Sequence, residues 1–189
     1  MKQMKGFSCL ILAFTLAVTP VMAGEAAVGE TEGAIAEMVR LYGMDQRQVE
    51  FEEDEAAFEG VWMEFEDGFR LYLPKDWKSI EVTDEEDTEG VIFQAVGEQE
   101  GLRVSFAAWE QEPSLEDIYS QYLESGATSC ERLTINGIPC AFVQNEAEDY
   151  LGLTFLHPDI RGFVLTVLFT PWSERELGAE ILCSLSPLE

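Results

Sequence analysis

His157 is the only histidine in the sequence, and it stands directly before Pro158-Asp159. A lone imidazole does base or triad work only beside a nucleophile and a carboxylate. The sequence has no strained Gly-x-Ser-x-Gly turn, and Ser129, just ahead of Cys130, lies at a strand start without glycines to build an oxyanion site. His157 is therefore read as a polar turn residue. Cys130 and Cys140 are spaced across a hairpin and not as a C-x-x-C knuckle, so a zinc site with a single histidine lacks its thiolates here.

Two carboxylate runs, Glu52-Glu53-Asp54-Glu55 and Asp84-Glu85-Glu86-Asp87-Thr88-Glu89, are the candidates for a hard cation. Neither matches the Asp-x-Asp-x-Asp-Gly calcium loop, because the position that must turn on glycine holds Ala57 in the first and Glu89 in the second. Both are read as solvated acidic surface that keeps the protein dispersed by self-repulsion. The four tryptophans, Trp62, Trp77, Trp109 and Trp172, raise the chemistry of sugar stacking. Trp77 sits at a corner and Trp172 at a helix start, which leaves Trp62 beside Tyr72 as the one attractive aromatic pair. That pair is expected to pack against an N-terminal helix. No residue is assigned to catalysis, to a cofactor or to a metal.

The whole chain supports this restraint. It has 189 residues, 47% hydrophobic and 25% charged, the balance of a globular domain. Its 37 acidic and 11 basic residues give a formal charge of -26, which makes nucleic acid and anionic membrane surfaces poor partners. With so many acids, no single pair of carboxylates identifies a glycosidase.

Residues 1–23 carry Lys2 and Lys5, an apolar run from Leu10 to Val18 and a small residue at Ala23, the three parts of a secretion signal. The run is about half the roughly 20 residues a spanning helix needs, and no later run reaches that length, so the exported chain is expected to have no membrane span. A secreted or extracytoplasmic location follows. Residues 24–56 are read as a leader, a short amphipathic helix carrying Ile35, Met38, Val39 and Tyr42, and an acidic linker over Gln46 to Glu55. Residues 57–189 form the folded domain.

Within that domain, Phe58 to Leu73 reads as a hairpin. A two-residue turn at Asp67-Gly68 would mix its faces. A three-residue loop, Glu66-Asp67-Gly68, puts Val61, Met63, Phe65, Phe69, Leu71 and Leu73 on one face and sets Glu64 against Arg70 and Trp62 against Tyr72 on the other. Val91 to Val96 and Leu102 to Trp109 are two further strands, with Asp84 to Glu89 as an acidic loop before them. Ser114 and Asp117 box the start of a helix bearing Leu115, Ile118, Tyr119, Tyr122 and Leu123, stopped by Gly126.

Asn136-Gly137 is the sharpest hairpin signal, and it aligns Leu133, Ile135, Ile138, Cys140 and Phe142 on one face while Cys130 faces Val143 on the other. Leu151 to Leu156 and Phe163 to Phe169 make a further hairpin whose second strand is apolar on both faces and so should be central. Ser173 and Glu176 read as a capping box for the last helix, with Trp172 stapled onto Leu177. Cys183 is expected on the far side of that helix, the most exposed of three free thiols, with Cys140 the most buried.

The order helix, hairpin, two strands, helix, hairpin, hairpin, helix has no strand-helix-strand repeats, so the expected fold is α+β: an antiparallel β-sheet with helices packed on it. The run Gly68-Phe69-Arg70-Leu71-Tyr72-Leu73-Pro74-Lys75-Asp76-Trp77, then Ile135-Asn136-Gly137-Ile138-Pro139 and the closing Ile181-Leu182-Cys183-Ser184-Leu185, resembles the PsbP-like superfamily. That superfamily includes photosystem extrinsic proteins, a Ran-binding nuclear import factor and many bacterial exported proteins. The resemblance covers roughly Phe58 to Leu185, and the motifs are fold punctuation. It implies the PsbP-like α/β sandwich and carries over no metal-binding or partner-binding residue.

The function expected is that of an exported, acidic, non-enzymatic domain that binds a protein or a cell-envelope component. A carboxylate-based hydrolase and a calcium-dependent accessory module are the alternatives.

Overall fold

A computed structural model describes residues 47–109 and 112–188. The secretion signal, the leader and the amphipathic helix expected before residue 47 lie outside the described residues.

The described residues form eleven strands, numbered in chain order. β1 (Arg47–Val49), β7 (Ser129–Ile135), β8 (Ile138–Asn145), β9 (Tyr150–Leu156), β10 (Phe163–Thr170), β6 (Gly101–Ala108), β5 (Val91–Val96) and β4 (Lys78–Ile80) form one sheet in that spatial order. All its pairings are antiparallel except β1 with β7. β11 (Ser186–Pro187), β3 (Phe69–Pro74) and β2 (Gly60–Phe65) form a second, three-stranded antiparallel sheet. The α-helices of the described residues are α1 (Asp84–Thr88), α2 (Leu115–Glu124) and α3 (Arg175–Cys183). The architecture is α+β, with helices packed on antiparallel sheet. Among the described residues no helix is long and apolar enough to cross a membrane.

The small sheet and α3 cover one face of the large sheet. Phe65, Phe69, Leu71 and Leu73 from the small sheet meet Leu133, Cys140, Leu153, Phe155, Leu165, Val167 and Phe169 from the large one, joined by Ile181 and Leu182 of α3. Rings interlock across this layer: Phe69 meets Phe155 edge-on at 5.2 Å and Phe65 meets Phe93 at 5.3 Å. On the opposite face α2 buries Ile118 against Cys130, Ala141, Val143 and Val164. β10 contributes to both layers, which is why its sequence is apolar on both faces.

Both hairpin registers follow from their turns. Phe65 pairs with Phe69 across Glu66-Asp67-Gly68, with Gly68 at φ 86°, so Glu64 stands opposite Arg70 and Trp62 opposite Tyr72. Asn136 and Gly137 take φ 46° and 86°, the double left-handed turn that keeps the strand twist, and Leu133 pairs with Cys140 while Cys130 pairs with Val143. Val61 keeps the expected inner-face register opposite Leu73, but at the outer edge of β2 it is 51% exposed.

Four other features differ from expectation. The segment 46–55 is not a plain linker: Arg47–Val49 adds in parallel to the edge of β7, and Glu53–Glu55 forms a 3-10 turn. Asp84–Thr88 is a helical turn and not a loop, because Thr83 accepts the Glu86 amide and the Glu86 carboxylate accepts the Thr83 amide. Ser173 does not cap α3. A 3-10 turn runs over Trp172–Glu174 from Pro171, so Ser173 is already inside a helical turn and no side chain caps at Glu174. Finally, Cys183 packs against the main core, because α3 is wedged between both sheets and is covered over a wider arc than one stripe.

Candidate functional site

The outer face of the small sheet is where the chain brings its unusual residues together. The hairpin register places Trp62 beside Tyr72, ring centroids 5.3 Å apart, and Arg70 next to them with its guanidinium carbon 4.3 Å over the Trp62 ring. The segment after β1 then crosses this face. Phe51 meets Trp62 edge-on at 5.8 Å and tilts against Tyr72 at 5.6 Å, while Phe58 stacks on Tyr72 at 5.5 Å. Tyr72, on the outward side of its strand, is consequently only 5% exposed. The aromatic pair is covered by the chain's own residues 51–58, where sequence reasoning assigned an N-terminal helix. Sugar stacking on these two rings is therefore blocked by Phe51, Phe58 and Arg70.

The crossing segment is held by directed bonds. The Phe51 amide donates to Asn136 Oδ1 at 2.9 Å, and the Ala57 amide to Glu180 Oε1 at 2.5 Å. Trp62 Nε1 donates to Glu53 Oε2 at 2.8 Å, and the Tyr72 hydroxyl accepts the Gly60 amide at 3.0 Å. Gly60 is required by closeness: a Cβ there would lie 2.6 Å from both the Leu73 carbonyl oxygen and the Tyr72 ring.

Beside the segment lies an open depression lined by Glu53, Asp54, Phe58, Glu59, Tyr72 and Lys75. Lys75 pairs with Glu59, which leaves an excess of carboxylate around it. Glu53 and Asp54 come from the first acidic run. The residues that sequence reasoning missed are Phe51, Phe58, Glu59 and Lys75. The available signal was two aromatic residues, Phe51 and Phe58, flanking an acidic stretch that gave no helix or strand period.

His157 has structural work. Its Nδ1 accepts the amides of Asp159 and Ile160, each at 3.1 Å, and its Nε2 lies 3.4 Å from Asp67 Oδ1, with the side chain 5% exposed. Two amide donors on Nδ1 place the ring proton on Nε2, so neither nitrogen is left to act on a substrate. The bond joins the β9–β10 loop to the β2–β3 turn.

The three described cysteines are free thiols. Burial pushes Cys130 and Cys140 up to about 12, far from the thiolate that nucleophilic or metal chemistry needs. The other tryptophans also carry packing roles: Trp77 stacks on Phe169 at 6.2 Å and bonds Glu100, and Trp109 lies against the α2 layer. Among the described residues no three of His, Cys, Asp and Glu converge as metal ligands.

No family model matches the chain, and no curated protein does. Among solved structures, the chain is similar to a protein from Bacteroides thetaiotaomicron VPI-5482, with 17% identity over 64% of this chain and a TM-score of 0.41. The match spans 45% of that protein's length.

Proposed function

We propose that this chain is an exported, acidic, non-enzymatic binding domain of PsbP-like type, whose partner is a protein or a cell-envelope component. The observation that carries the reading is the outer face of the small sheet. It holds an open depression lined by Glu53, Asp54, Phe58, Glu59 and Lys75, next to the outer edge of β2. The groups best suited to chemistry are engaged elsewhere: His157 in a loop clasp, Cys130 and Cys140 in the core. The export part rests on the tripartite pattern of residues 1–23.

In-cell photo-cross-linking from an exposed position such as Ile160, followed by identification of the adducts, tests it. One or a few defined envelope adducts are expected from protein recovered without residues 1–23. Protein that retains Met1, or an absence of any adduct from several exposed positions, would overturn the reading.

A further inference from the structure

The outer edge of β2 is a template for another strand. The Lys75 amide donates to the Glu59 carbonyl, which puts Glu59 and Lys75 in the bonded phase of the hairpin ladder. In an antiparallel ladder such pairs alternate. Val61 and Met63 therefore bond inward to Leu73 and Leu71, while the N–H and C=O of Trp62 and Glu64 point away from β3. Two facts agree with this phase. Pro74, opposite Gly60, has no N–H to give, and the Tyr72 amide bonds Ser184 Oγ at 2.8 Å, on the side away from β2. Among the described residues no strand pairs with this edge.

The pocket opens beside the same strand at Gly60, on the outer face, and its lining holds Glu53, Asp54 and Glu59 against one Lys75. On the inner side of the edge, Val61 is 51% exposed. A strand added here alternates its side chains between these two environments. We infer that the edge of β2 and the depression beside it bind an extended peptide segment of the partner in which basic and apolar residues alternate: the backbone pairs with Trp62 and Glu64, a cationic side chain enters among Glu53, Asp54 and Glu59 beside Phe58, and an apolar side chain covers Val61. Charge selects the occupant. The chain carries a formal -26, which repels a second copy or an acidic segment and draws a basic one. Strand addition supplies affinity through the main chain, and the pocket supplies the choice of side chain.

This inference rests on the binding-domain reading, and its test separates the two. The probe is a labelled heptapeptide, Thr-Lys-Val-Lys-Val-Lys-Thr, titrated against the full chain by fluorescence anisotropy. Saturable binding is expected, weakened at least tenfold when alternate peptide amides are N-methylated. Glu53→Gln with Asp54→Asn and Glu59→Gln is expected to cost at least tenfold, whereas Glu124→Gln with Glu131→Gln and Glu146→Gln, exposed acids elsewhere, changes it by less than twofold. Failure of the full chain to bind the peptide overturns the inference. So does equal binding of the N-methylated peptide, or an equal loss with the distant acids. Envelope adducts obtained from Ile160 alongside any of these failures would sink this site alone.

Discussion

Asn136 holds Phe51 across 85 positions of sequence: its side-chain oxygen accepts the Phe51 amide at 2.9 Å. The same side chain donates through Nδ2 to the Leu185 carbonyl at 2.8 Å and to Ser186 Oγ at 3.0 Å, while its backbone amide bonds the Val49 carbonyl. One turn residue thus joins the incoming strand, the β7–β8 hairpin and the chain end. Asn136→Gly keeps the left-handed turn and removes only the side chain. It should lower stability by about 1–2 kcal/mol. Hydrogen exchange at Phe51 should accelerate while exchange in β8 and β9 shifts only with global stability. Unchanged protection at Phe51 would show that the clasp does not hold the segment over Tyr72.

His157 tests the same principle in a loop. His157→Ala leaves the Asp159 and Ile160 amides without their acceptor, at a cost of about 1 kcal/mol because water can reach this exposed loop. His157→Asn puts an oxygen near the Nδ1 position and should recover most of that loss, though it gives up the contact with Asp67. Melting temperatures of the three proteins decide it. A His157→Asn protein no more stable than His157→Ala would place the effect in Asp67 and not in the amides.

Gly178 sets two effects in opposition. Alanine is the better helix former by about 1 kcal/mol, and Gly178 lies within α3. A Cβ there would stand 2.4 Å from Phe169 Cδ1, and Phe169 is fully buried and stacked against Trp77. Overpacking of this kind costs about 1–3 kcal/mol, so Gly178→Ala should be net destabilising. Adding Phe169→Leu should relieve the clash, giving a double variant less damaged than the sum of the single changes. A more stable Gly178→Ala protein would mean that the ring moves freely.

The thiols should react in a fixed order. Burial holds Cys130 and Cys140 up at about 12, and burial also raises Cys183, with nearby Arg47 opposing. Cys183 is the most exposed of the three. Mass tagging in the native state should label Cys183 first and slowly, with Cys130 and Cys140 labelled only on unfolding. An unfolded, unreduced monomer with fewer than three taggable thiols at these positions would contradict either the β7–β8 register or the placement of Cys183 on α3.

The parts of the fold legible in the sequence are those set by local chemistry. Gly68 and Asn136-Gly137 determine their hairpins because a one-residue slip would turn every apolar side chain to water. Thr83-Asp84-Glu85-Glu86 carries the same capping pattern as Ser114 and Asp117, yet the density of charge hid it as a loop. β1 was illegible for another reason: three residues added in parallel to a distant strand leave no periodic signal. The pocket was hidden with it, since Phe51 and Phe58 gain meaning only once Asn136 brings their segment across the sheet.

The two capping boxes give the acid limb of stability a local origin. The Ser114 hydroxyl and then its amide hold the Asp117 carboxyl below the usual carboxylate range, and the Thr83 amide and hydroxyl do the same for Glu86. A carboxyl whose folded pKa is depressed favours folding above its unfolded value, roughly 4, and loses that contribution as pH falls through the folded value. Asp117→Asn should therefore be less stable than the parent at neutral pH, and the gap should close as the medium is acidified below about pH 4. Urea midpoints of both proteins between neutral and acidic pH measure this directly. A gap that stays constant over that range would mean that Asp117 acts through its shape and hydrogen bonding alone, with no advantage to the ionised form.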